Sequence, residues 1–156
     1  MSLPFFETTD RGFLPAGSDV TAVLRHGEEE ALHATWRTFQ HIGYIRRTLA
    51  VIDTDKSKAL LSTDLRVELA GLAEVTALQA LEANRRLTEL LTGRRWSVMR
   101  SAREAGASWA AVGAALGISK QGAIDWYKRK IEHQEQHLPE LHDAARARAV
   151  LPEEPM

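Results

Sequence analysis

The side chains with most chemistry to offer lie in ten consecutive residues, Ser119-Lys-Gln-Gly-Ala-Ile-Asp-Trp-Tyr-Lys128. On a helix this order sets Ser119, Lys120, Gln121, Ile124, Asp125 and Lys128 on an outward face, with Ala123, Tyr127 and Ile131 facing inward. The Gln121 amide carries a donor beside an acceptor, which suits the N7 and N6 groups of adenine in a major groove. Lys120 can reach guanine O6 and N7, and Ile124 can touch a thymine methyl. Asp125 can accept from cytosine N4, or it can orient Lys128 or Arg129 nearby. Arg94, Arg95, Arg100, Ser108 and Arg129 suit phosphate oxygens, contacts that position a partner without reading its sequence.

Such a face is useful only on a helix held at a fixed angle, and the punctuation ahead of it predicts one. A helix from Arg94 to Ala105 is closed by Gly106. Ser108 is an N-cap for Trp109 to Leu116, which Gly117 closes, and Ser119 is an N-cap for a third helix from Lys120 to about Gln136. Two closely crossing helices need small residues at the crossing, supplied by Ala111, Gly113, Ala114 and Ala123. The turn needs a residue tolerant of positive φ, Gly117, and an apolar plug after it, Ile118. Val112, Leu116, Ala123 and Tyr127 complete the inward faces. Trp109 and Trp126 read as packing more readily than as base contacts. Gly122, inside the third helix, permits either close helix packing or close approach of a partner's backbone. No alternating run follows Ile131, so no β-wing is predicted.

Val112-Gly-Ala-Ala-Leu-Gly-Ile-Ser119 resembles the turn of bacterial helix-turn-helix regulators, including sigma-factor region four and many actinobacterial transcription factors. The run from Arg95 to Trp109, Arg-Trp-Ser-Val-Met-Arg-Ser-Ala-Arg-Glu-Ala-Gly-Ala-Ser-Trp, is similar to the preceding support helix in such actinobacterial proteins. The resemblance covers about residues 94–130 and implies a DNA-binding regulator whose third helix enters the major groove, N-terminus nearest the bases. Charge agrees independently. The whole chain carries a net charge of −1, yet residues 94–130 carry +6, against −3 for residues 1–93 and −4 for residues 131–156. Positive charge gathered on the reading module is what a phosphate backbone requires; the alternative is a solvated basic face.

The rest of the chain reads as helical support. None of the five prolines falls between residues 16 and 138, as an all-α body requires. A first helix is predicted from about Glu28 to Ile52, with Leu32, Trp36, Phe39, Ile42, Ile45, Leu49 and Ile52 as its stripe. A second is predicted from Ser62 or Thr63 to Gly93. Its Leu69, Leu72, Val75, Leu78 and Leu81 recur every three residues, wrapping the apolar surface around the helix. A helix apolar on several sides needs cover on several sides, so a homodimer is expected, the alternative being the central helix of a monomeric bundle. The resulting layout is a flexible arm (1–18), a helical dimerisation region (19–93), a wingless helix-turn-helix region (94–137), and a C-terminal helix and tail (138–156).

Several classes are disfavoured. With no cysteine there is no disulfide framework or thiolate chemistry. No stretch approaches the roughly 18–20 apolar residues of a membrane span. Met1-Ser2-Leu3-Pro4 lacks the basic start of a secretion signal, so a cytoplasmic location is expected. Arginine supplies 15 of the 20 basic residues and alanine is abundant, in keeping with a high-GC bacterial genome. His133 and His137 are four apart, and His26, His33 and His41 share a helical-wheel sector, but neither set has a His-Glu-x-x-His arrangement. No phosphate-binding loop or nucleophile elbow occurs, so no cofactor, metal or catalysis is expected. The reading is a dimeric DNA-binding transcriptional regulator of double-stranded DNA. A protein-binding adaptor or sigma-like accessory factor is the alternative, with Glu132, Glu135, Glu140 and Asp143 offering an acidic segment to a partner.

Overall fold

The computed structural model describes residues 6–153; the expected loose ends at residues 1–5 and 154–156, Pro4 and Pro155 included, lie outside that range. The protein is all-helical. Its elements are α1 (Val20–His26), α2 (Glu29–Ile52), a 3-10 turn (Lys56–Lys58), α3 (Ala59–Ala70), α4 (Ala77–Glu104), α5 (Trp109–Leu116), α6 (Lys120–His137) and α7 (Ala144–Ala149). Among the described residues extended pairing is limited to an isolated bridge between Pro15 and Leu72, and no helix is long and apolar enough to cross a membrane. The chain divides into two compact units, Met1–Leu90 and Leu91–Met156, with the boundary falling inside α4.

In the first unit α2 is the spine. Leu32, Ile42, Ile45, Leu49 and Ile52 are buried as their spacing predicts, Leu32 in one cluster, against which Trp36 and Phe39 pack half-buried, and the other four in a second. Two polar residues join them: Thr35 and Thr38 are fully buried and donate their hydroxyls back to Ala31 O at 2.9 Å and Ala34 O at 2.7 Å. Thr38 Oγ1 also accepts the Leu14 N–H at 2.8 Å. That bond corrects the expectation of a flexible arm for the stretch around Phe13 and Leu14. Phe13 and Leu14 are buried, and Leu14 O accepts from Ala73 N at 2.9 Å. Nothing periodic announces this segment, because its partners lie far along the chain.

The long second helix is also corrected. α3 ends at Ala70, and α4 begins only at Ala77. Between them Leu72, Ala73 and Val75 are buried outside any helix. Thr76 restarts the helix with a capping box: its N–H donates to Gln79 Oε1 at 2.9 Å, and its Oγ1 accepts from Gln79 N at 3.2 Å. The period-three apolar series therefore straddles a break, and Leu78 and Leu81 stand exposed at 78% and 61%. Gly93 does not end a helix; α4 runs through it, at a cost of ~1 kcal/mol relative to alanine, and stops before Gly106, where φ is +95°. The wheel sector proposed for His26, His33 and His41 does not exist either, since Gly27 separates α1 from α2.

The second unit packs the end of α4, α5, α6 and α7 around Met99, Trp109, Val112, Ala123, Ile124, Tyr127, Ile131, Ala147 and Val150. The expected helix over 120–136 is present as α6, and the expected C-terminal helix as α7.

Candidate nucleic-acid interface

The α5–α6 pair is built by backbone bonds and two serines. Ser108 Oγ accepts the Ala111 N–H at 3.1 Å and caps α5. Gly117 closes α5 at φ +68°, and the N–H groups of Gly117 and Ile118 return to Ala114 O at 3.1 Å and Gly113 O at 2.9 Å. A left-handed residue here satisfies carbonyls that a helix end leaves open. Ser119 then caps α6, its Oγ accepting from Gly122 N at 3.0 Å. The turn lies so close to α5 that a Cβ on Gly113 would sit 2.9 Å from the carbonyl oxygens of both Ile118 and Ser119. Glycine is required at 113 by backbone, which no repacking of side chains can relieve.

This geometry corrects the expected role of Ile118 and decides between the two expected for Gly122. Ile118 does not plug the core: it is 42% exposed and lies over Gly122, whose ideal Cβ position is 3.9 Å from its Cδ1. Gly122 serves the cap, since a Cβ there would press to 3.1 Å on Ser119 Oγ.

α6 has two distinct faces. Ala123, Ile124, Tyr127 and Ile131 are buried, and Ser119, Lys120, Gln121, Asp125 and Arg129 are exposed, with Lys128 half-buried. Ile124 is thus removed from the outward set. It is 4% exposed because it begins an i, i+3, i+7 stripe with Tyr127 and Ile131. Gln121, Asp125, Lys128 and Arg129 form the opposite i, i+4, i+7, i+8 face, and Gln121 Nε2 donates to Asp125 Oδ1 at 2.8 Å.

The buried face is pinned by α7. Tyr127 Oη donates to Ala147 O at 2.7 Å, and Trp109 Nε1 donates to Val150 O at 3.1 Å. Burial pushes the Tyr127 phenol up to about 12. Arg146 grips Glu104 through two bonds of 2.7 Å, and Arg148 grips Glu135 at 2.8 and 2.7 Å. Each guanidinium, by hydrogen bonding, holds its carboxyl below the usual carboxylate range. Asp143 caps α7 by accepting from Arg146 N at 3.0 Å. Two of the four acids proposed to meet a basic partner, Glu135 and Asp143, are therefore engaged within the fold.

The basic residues separate in the same way. Arg100 is removed from the phosphate set: its side chain is only 15% exposed, it stacks 5.1 Å from the Trp96 ring centroid, and it lies 3.8 Å from Glu104. Trp96, Arg100 and Glu104 recur every four residues, so they share one face of α4. Arg103 is likewise occupied, over the Trp109 ring at 5.4 Å and donating to Ala107 O. Arg94, Arg95 and Arg129 are exposed, and so is Ser108. Sequence reasoning missed a grouping here. Trp126 is half-buried, with Arg95 over its ring at 5.4 Å and Lys130 at 5.5 Å. The i, i+4 spacing of Trp126 and Lys130 signals half of this cluster; Arg95 comes from another helix.

The His133 and His137 rings stack at 4.1 Å, and His137 Nδ1 lies 2.9 Å from His133 O. Among the described residues no group of three or more His, Asp or Glu side chains is placed to hold a metal ion. No protein-family model matches the chain, and no curated protein or solved structure matches it.

Proposed function

We propose that the chain is a cytoplasmic DNA-binding transcriptional regulator that lays α6 of a wingless helix-turn-helix in the major groove of double-stranded DNA. The observation that carries this reading is the division of α6 into a buried apolar face and an exposed polar one whose first turn holds Lys120 and Gln121. A helix in the major groove contacts bases mainly through its N-terminal turns. Lys120, Gln121, Asp125 and Lys128 are the base-edge candidates, together with the Ser119 hydroxyl. Arg94, Arg95, Arg129, Lys130 and Ser108 are the phosphate candidates; Ile124 and Arg100 are withdrawn.

The test begins with selection of bound fragments from random duplex DNA. Gln121→Ala is expected to lose ~1–3 kcal/mol on the selected site and little on scrambled DNA. Arg129→Ala is expected to weaken both alike. Equal losses for the two variants would refute the roles, and a folded protein with no affinity for duplex DNA at low salt would favour the adaptor alternative.

Pairing of two copies belongs to the same reading and is assigned to α3. None of its residues is buried, and Leu60, Leu61 and Val67 are exposed at 83%, 47% and 68%. Its Leu65 and Leu69 pack half-buried on the α2 core, so a second copy would cover the apolar residues that remain in solvent. Sedimentation equilibrium is expected to give a dimer that the double variant Leu60→Ser, Val67→Ser converts to monomer; a monomeric wild type would refute the pairing.

A further inference from the structure

The Gln121–Asp125 bond carries a consequence for which base α6 selects, and it rests on the reading of α6 as a base-contacting helix. Gln121 Nε2 donates to Asp125 Oδ1 at 2.8 Å across one helical turn, with both side chains exposed. An ionised carboxylate only accepts hydrogen bonds, so it dictates which end of the neighbouring amide is nitrogen. It also engages one of the two N–H groups. Gln121 is left with one N–H donor and the Oε1 acceptor, side by side and in a fixed order. Adenine answers that pair with an acceptor at N7 and a donor at N6. Guanine presents two acceptors, N7 and O6, and would set one of them against Oε1. A glutamine without the carboxylate is free to turn both N–H groups toward guanine.

We propose that Asp125 is a positioning residue that makes Gln121 select adenine over guanine, so that α6 addresses duplex sites with an A·T pair opposite residue 121. Asp125 then works through Gln121, and its own contact to cytosine is not needed. Its negative charge repels phosphates, so removing it should raise affinity for arbitrary DNA. That separates a positioning role from a role in general binding.

The experiment uses the full chain as wild type, Asp125→Ala, Asp125→Asn, Asp125→Glu and Gln121→Ala. A site is selected from random duplex DNA with the wild type, and its adenine is then changed to guanine together with the paired base. The expected result is that this change weakens wild-type binding about 10- to 100-fold. In Asp125→Ala the penalty should fall to within about threefold, while affinity for scrambled DNA rises. Asp125→Asn, whose amide can donate to Gln121 Oε1 as readily as it accepts from Nε2, should lose the penalty as Asp125→Ala does. Asp125→Glu, which only accepts, should retain it, and Gln121→Ala should abolish it. If the wild type selects a site but Asp125→Ala keeps the full penalty, or Asp125→Asn keeps it, the inference is overturned and the DNA reading stands. If the wild type shows no sequence preference or no binding, the DNA reading fails and the inference with it.

Discussion

α3 and α6 are both short helices with apolar and polar residues in their sequences, yet they are secured in opposite ways. α3 contributes no buried residue and leaves Leu60 and Val67 in solvent. It packs half-buried Leu65 and Leu69 on the α2 core and is tethered by Arg66 to Asp53 and by Glu68 to Arg11 and His41. The two exposed arginine pairs contribute about 0–1 kcal/mol each. α6 buries four residues, is capped by Ser119, and is bonded through Tyr127 to α7. The difference separates two kinds of surface. A polar face on a pinned helix can hold donors and acceptors where base edges require them, whereas an apolar face on a tethered helix gains by being covered.

The comparison breaks most visibly at Tyr127. Tyr127→Ala is expected to destabilise the second unit by ~3–5 kcal/mol, because it opens a cavity and leaves the Ala147 carbonyl unpaired. Leu60→Ala, at an exposed position of α3, is expected to change the stability of dilute protein by no more than about 0.5 kcal/mol. Urea unfolding followed by tryptophan fluorescence and circular dichroism measures both, and equal costs would abolish the distinction.

A pH series sharpens the same point. The folded state holds the Tyr127 phenol protonated up to about 12, against its ordinary value of 10.0. Its contribution is therefore intact below pH 10 and is lost as pH rises from 10 through about 12, in total ~2–3 kcal/mol. Tyr127→Phe should flatten this alkaline loss when urea midpoints at pH 8 and 11.5 are compared. Glu104 and Glu135 act in the opposite sense: their lowered carboxyls contribute above the ordinary carboxylate value of 4.5, and that contribution is lost as pH falls below it.

The turn gives a smaller effect than Tyr127. Gly117→Ala places a Cβ at φ +68° and is expected to cost ~1–2 kcal/mol of stability. Thermal unfolding reads it directly; an unchanged midpoint would show that the turn does not constrain α6.

What the sequence made legible was whatever local rules govern. Ser108, Gly117 and Ser119 bound α5 and α6 because caps and left-handed turns act within four residues. The α2 stripe was legible for the same reason. What escaped depends on distant partners: Leu14 is held by Thr38, and Arg100 is withdrawn beside Trp96 and Glu104. Two misreadings were avoidable. The Thr76–Gln79 capping box marks the start of α4 inside what looked like one helix. Ile124 belongs to the stripe of Tyr127 and Ile131 by spacing alone, and its appeal as a methyl-contacting residue obscured that.

The central claim is that α6 presents its polar face to duplex DNA, and a salt series of affinities for the selected and scrambled duplexes tests it most directly. A steep salt slope is expected, about −3.5 to −5.5 per copy for four to six neutralised phosphates. A preference of about a thousandfold or more for the selected site is also expected. A shallow slope with equal affinity for both duplexes, or no binding at low salt, would contradict the claim.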